Sequence, residues 1–145
     1  MKEEFRILLV EDSKEDVMLT KMAFAKSKVD AIIDVVNDGE QCLKFLRKEP
    51  PYENAKLPGL ILLDLNMPKV DGKQVLERIK FDESLKAIPV VVLTTSLNER
   101  DVEESYERFA NSYISKPMDF IEFLGLVKEI EKFWLKTVKL PKSSE

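Results

Sequence analysis

The run Leu60-Ile61-Leu62-Leu63 ends abruptly in a carboxylate, Asp64, and the chain then enters a loop containing Asn66, Met67, Pro68, Asp71 and Gly72. Four successive apolar residues bounded by turn formers lack both the alternation of a half-solvated strand and the length of a helix. They fit a strand buried on both faces. Such strands belong to parallel sheets covered by helices, and those sheets present polar residues at the carboxyl ends of their strands, where ligands bind. Asp64 is expected at that edge. This one stretch confines the chain to an α/β architecture and points to chemistry on a carboxylate.

The rest of the chain keeps the pattern. Ile7-Leu8-Leu9-Val10 is a second short apolar run, and it too ends in acids, Glu11 and Asp12. Ser13 starts a helix, with Asp16 as a shorter stand-in for the capping-box Glu. Val17, Met18, Met22 and Ala25 are its expected apolar side. Residues 31–36 give a strand, Asn37-Asp38-Gly39 a turn, and 40–47 a helix turning Cys42, Leu43 and Leu46 inward. Residues 48–58 form a connection longer than the usual 2–6 or so, expected as a surface insertion or, alternatively, a partner-contacting loop. After the strand 60–64 comes a helix over 72–81, with Val75, Leu76 and Ile79 inward. Pro89 starts Val90-Val91-Val92-Leu93, which ends in Thr94 and Thr95. Asn98 caps a helix with Val102, Tyr106 and Phe109 on one face. A short strand at 111–115 precedes Lys116-Pro117. Asp119 and Glu122 cap a last helix whose stripe is Phe120, Phe123, Leu124, Val127, Ile130 and Trp134.

Five repeats of strand and helix in 145 residues make one domain: a doubly wound, parallel five-stranded sheet with helices on both faces. The core is expected over about 5–134, with a polar tail at 136–145. The net charge of −4 offers no basic field for nucleic acid. One cysteine, Cys42, excludes an internal disulfide and a thiol cluster, and is expected as a small core residue. The lack of histidine excludes a histidine base, a histidine-ligated metal and a phosphohistidine on this chain. The opening MKEEFR is no secretory signal, and no apolar run approaches membrane-spanning length. A cytoplasmic location is the default expectation.

The strand ends carry the chemistry. The first delivers Glu11 and Asp12, the third Asp64, the fourth Thr94 and the fifth Lys116, all to one sheet edge. Three carboxylates there disfavour joint ionisation, and a hard divalent cation relieves it. Magnesium suits one or two carboxylates plus waters and phosphate oxygens. Lys116 adds a point charge for a phosphoryl oxygen and Thr94 a hydroxyl. Such a set fits phosphoryl transfer onto Asp64 as an acyl phosphate. An aspartate-nucleophile phosphatase would want a second Asp two residues on, where this chain has Asn66. A phosphorylation-independent interaction module is the other alternative, and the full set of Glu11, Asp12, Asp64, Thr94 and Lys116 speaks against it.

The segments LLVEDS at 8–13, LLDLNMPKVDG at 62–72, PVVVLTTS at 89–96 and YISKP at 113–117 resemble receiver domains of two-component response regulators, the fold of the chemotaxis response regulator. The resemblance spans about residues 5–134 and implies a flavodoxin-like strand order 2-1-3-4-5. It makes Asp64 the phospho-acceptor and Asp12 a direct magnesium ligand, with Glu11 holding a metal-bound water and Asn66 offering its backbone carbonyl. Thr94 becomes the hydroxyl that meets the phosphoryl group, Lys116 its cationic partner, Pro117 the residue after a cis bond, and Tyr113 the switch aromatic. It further implies a surface of the fourth helix, fifth strand and fifth helix that responds to phosphorylation, and a chain that catalyses its own phosphorylation and dephosphorylation without being a turnover enzyme. Glu11 departs from the family's commoner Asp, and Thr95 from its usual Ala. The 48–58 loop, VLTTSLNERDVEESY and FWLKTVKLP are similar to the stand-alone regulators of phytochrome-type histidine kinases. That likeness implies a histidine kinase partner and leaves room for a homodimer through the fourth and fifth strand–helix segments.

Overall fold

The computed structural model describes residues 5–27, 31–64, 72–94, 112–115 and 119–132, with backbone alone at 94, 112, 113 and 115. The short apolar runs become the strands β1 Phe5–Val10, β2 Ala31–Val36, β3 Leu60–Leu63, β4 Val90–Thr94 and β5 Ser112–Ser115. All neighbours pair in parallel, in the order β2-β1-β3-β4-β5. The chain steps from β1 out to β2, then returns to β3 on the other side of β1. The cleft at that reversal, at the carboxyl ends of β1 and β3, is where sheets of this kind bind ligands.

The pleat sends alternate residues to opposite faces, and here both faces are apolar. Leu8, Val10, Ile61, Leu63, Val90 and Val92 share a core with Cys42, Phe45 and Leu46 of α2 (Gly39–Leu46) and Val75, Leu76 and Ile79 of α3 (Gly72–Lys80). On the other face Ile7, Leu9, Leu60, Leu62, Val91 and Leu93 meet Ala23 and Phe24 of α1 (Lys14–Lys26) and Phe123, Leu126, Val127 and Ile130 of the helix Phe120–Ile130. Two helix starts are capped as the sequence suggests, by Ser13 and Asp119, while Asp38, read from the sequence only as a turn residue, caps α2. Side-chain oxygens of Ser13, Asp38 and Asp119 accept the backbone N–H three residues on, from Asp16, Gln41 and Glu122. No helix among the described residues is long and apolar enough to cross a membrane.

Three expectations shift. On α1, Met18 and Met22 are exposed, at 63% and 49%, and so is Ala25, while Thr20, Ala23 and Phe24 are buried. Apolar residues surround this helix, so spacing leaves its rotation open, and the ring of Phe24 sets which side faces the sheet. Thr20 can be buried because its hydroxyl donates to the Asp16 carbonyl at 2.7 Å. On the helix Phe120–Ile130, Leu126 joins the buried stripe. The 48–58 connection packs Tyr52, Ala55 and Leu57 on the core, and the Tyr52 and Phe45 rings lie tilted with centroids 5.4 Å apart. It enters from Lys48 at φ 57°, with Lys48 N–H donating to Phe45 O and Glu49 N–H to Lys44 O. That is a Schellman ending with lysine where glycine is usual. The helix expected from Asn98, and Trp134 of the expected last stripe, lie outside the described residues.

Candidate functional site

The ladder continues one residue past β1 and β3. Glu11 N–H donates to the Val36 carbonyl at 3.0 Å and Asp64 N–H to the Val10 carbonyl at 3.1 Å. Since Val10 pairs with Leu63, the acids that follow them stand side by side at the carboxyl edge. Glu11, Asp12 and Asp64 each bring a carboxylate oxygen to within 4.8 Å of the other two. Glu11 and Asp64 are buried, at 2% and 5% exposure, whereas Asp12 is exposed. Two ionised carboxylates at that separation repel by roughly 3 kcal/mol at an effective dielectric near 20. The oxygen donors are hard, one carboxylate opens to solvent, and the cluster stands at the carboxyl ends of two neighbouring strands, so the set suits a small divalent cation that keeps some of its water.

Glu11 is one methylene longer than aspartate, and the extra reach is taken up locally. Its Oε2 accepts the N–H of Ser13, the α1 cap residue, at 3.1 Å. Its carbonyl accepts from the Asn37 side-chain amide at 3.3 Å. Asn37 is itself held, because its N–H donates to Gln41 Oε1 at 3.0 Å while Gln41 N–H donates to Asp38 Oδ1 at 2.8 Å. The turn after β2 therefore braces the acidic edge. In the sequence Asn37-Asp38-Gly39 carries only a turn signal. An asparagine at the end of the neighbouring strand, with a glutamine four residues on, is the hint that could have found the brace.

The structure thus brings together three of the expected site residues, Glu11, Asp12 and Asp64. The backbone of Thr94 ends β4, paired with Ser115 of β5, and Tyr113 lies in β5 opposite Val92. Asn66, Thr95, Lys116 and Pro117 lie outside the described residues.

Comparison with known proteins agrees with this arrangement. The response regulator receiver domain family matches residues 7–128. Response regulator Rcp1 of Synechocystis is 49% identical over 135 residues, covering 93% of this chain and 92% of Rcp1. Among solved structures, the phosphorylated cyanobacterial phytochrome response regulator RcpA superimposes with a TM-score of 0.91 at 48% identity, covering 97% of this chain and all of RcpA. The Mn(2+)-bound form of Rcp1 gives 0.88 at 48% identity, covering 95% of this chain and 99% of that one. With a parallel sheet in receiver order, paired acids at its carboxyl edge and these matches along most of its length, the chain belongs to the response regulator receiver domain family.

Proposed function

We propose that this chain accepts a phosphoryl group on Asp64 from a phosphohistidine of a histidine kinase, with magnesium at the same carboxylate, and then presents an altered surface to a partner. The observation that carries this reading is the meeting of Glu11, Asp12 and Asp64 within 4.8 Å at the end of two neighbouring strands. Asp12 and Asp64 would hold the cation directly, Glu11 through a water, and the Asn66 backbone carbonyl would complete the protein's share. A divalent cation bound there supplies charge neutralisation for the transferring group.

The remaining work falls to the chain's own groups. Burial strips water from Asp64 and fixes its approach, so that its Oδ attacks phosphorus in line. The P–N bond breaks, its electron pair leaves on the imidazole, and the imidazole takes a proton from solvent. Lys116 contributes a point charge to the phosphoryl oxygens and Thr94 a hydroxyl donor. The new bonds draw Thr94 inward and Tyr113 follows, a local charge event read out by a two-state surface. Hydrolysis restores the carboxylate when water attacks phosphorus and the P–O bond to Asp64 breaks. The chain catalyses its own modification and its reversal and is not a turnover enzyme.

RcpA, a phosphorylated phytochrome response regulator, and Rcp1, in its Mn(2+)-bound form, support the acceptor and metal roles and a phytochrome-type kinase as donor. A kinase that makes phosphohistidine from ATP supports a cytoplasmic site of action, and the acidic net charge supports a protein partner over nucleic acid. We read residues 1–145 as one receiver domain with its core over about 5–134, able to form a homodimer through its fourth and fifth strand–helix segments. Incubation with a phosphorylated phytochrome-type histidine kinase and magnesium should move phosphate onto the wild type and leave Asp64→Asn unlabelled. An Asp64→Asn protein labelled as fast as wild type would end the reading.

A further inference from the structure

Glu11 is fastened at three of its atoms. Its N–H is held by the Val36 carbonyl at 3.0 Å, its Oε2 by the Ser13 N–H at 3.1 Å, and its carbonyl by the Asn37 side-chain amide at 3.3 Å. Of these, the last alone comes from a side chain outside the acidic stretch. Asn37 reaches across from the turn after β2, the strand beside β1 on the side away from β3. Its own backbone is fixed by Gln41 in the first turn of α2, which is fixed in turn by the Asp38 cap. The peptide unit whose carbonyl Asn37 holds is the one joining Glu11 to Asp12. Rotation of that peptide would swing the exposed Asp12 carboxylate relative to the buried Asp64.

We propose that Asn37 is a positioning residue for the acidic pocket: by holding the Glu11 carbonyl it orients the Glu11–Asp12 peptide and thereby sets the affinity for the divalent cation. The proposal rests on the metal reading above. The bond from the Asn37 amide goes to the Glu11 backbone carbonyl, so its effect reaches the ion through geometry. Residues that orient ligands commonly matter by about 10- to 100-fold in affinity, and one acting through a single backbone carbonyl belongs below that, at about 3- to 10-fold.

The test is the dissociation constant for Mn²⁺, from calorimetry or from loss of the free-ion spin-resonance signal, on wild type, Asn37→Ala, Asn37→Gln and Asp12→Ala. A thermal melt in metal-free buffer accompanies each. Asn37→Ala should bind about 3- to 10-fold more weakly with an unchanged melt, Asn37→Gln should recover part of the loss by keeping an amide donor, and Asp12→Ala should bind far more weakly than either. If wild type binds and Asn37→Ala binds equally well, the positioning role is overturned while the metal site stands. If wild type takes up no Mn²⁺, or Asp12→Ala binds as wild type does, the metal reading itself fails and the positioning role with it. A lowered melt with unchanged affinity would make Asn37 a structural cap only and would likewise overturn the proposal.

Discussion

Lys48 pays for a turn with its backbone. A residue with a Cβ in the left-handed region costs about 1–2 kcal/mol, and Lys48 sits there at φ 57° to close α2. Glycine relieves that cost but loses about 0.4–1 kcal/mol through its freer unfolded chain. Lys48→Gly is therefore expected to raise stability by about 0.5–1 kcal/mol, with the same urea m-value as wild type. Lys80 shows a different tension. Its ammonium donates to the carbonyls of Lys86 and Ile88, at 3.2 and 2.7 Å, and so closes the turn that follows α3. Burial pushes its pKa down to about 8. The unfolded chain holds this proton up to its ordinary pKa of 10.5, so between these values it binds more protons than the folded chain. Stability from this group thus rises with pH across that window. The neutral amine still has two N–H groups for the two carbonyls. Wild type should gain stability relative to Lys80→Met as pH rises from about 8 to 10.5, read by denaturant titration at fixed pH. Cys42 runs the other way. Burial first and the Asp38 charge second raise its thiol to about 12, so it should resist alkylation in the folded protein at pH 8 and react only on unfolding.

At the scale of elements, β1 and β3 do most of the positioning. Every residue of β3 is buried, and Leu62 at 1% exposure packs in the core beneath α1 and the helix Phe120–Ile130. Leu62→Ala should cost about 2–5 kcal/mol in chemical denaturation, with the upper end expected because a β-sheet backbone cannot close in on the void. These two strands were legible from the sequence because four apolar residues ending in an acid admit few other readings. The α1 face was not: Val17, Met18, Leu19, Met22, Ala23, Phe24 and Ala25 leave no bare side for spacing to find, and tertiary packing of Phe24 decides. The 48–58 connection was legible as long but not as packed, since a single Tyr52 among polar and proline residues gives no period. The ring of Phe45, buried at 7% exposure, supplies the surface that draws Tyr52 in.

For the whole molecule, the parallel order β2-β1-β3-β4-β5 places the point of reversal between β1 and β3, and the acids that end those strands meet there. That convergence could be foreseen, because strand order and strand-end residues together determine it. The brace from Asn37 was only hinted at, by an asparagine after β2 with a glutamine four residues on, because it depends on which neighbouring turn comes within reach of one carbonyl. The central claim is that carboxylates from two separate strands serve one cation. It is tested most directly by the rate of Asp64 phosphorylation by acetyl phosphate across a magnesium titration, comparing wild type with Asp12→Ala. The account predicts that Asp12→Ala, with Asp64 untouched, labels slower by about 100-fold or more at moderate magnesium, since the cation's charge neutralisation is worth several kcal/mol. Labelling of Asp12→Ala at the wild-type rate, with the same magnesium dependence, would contradict it.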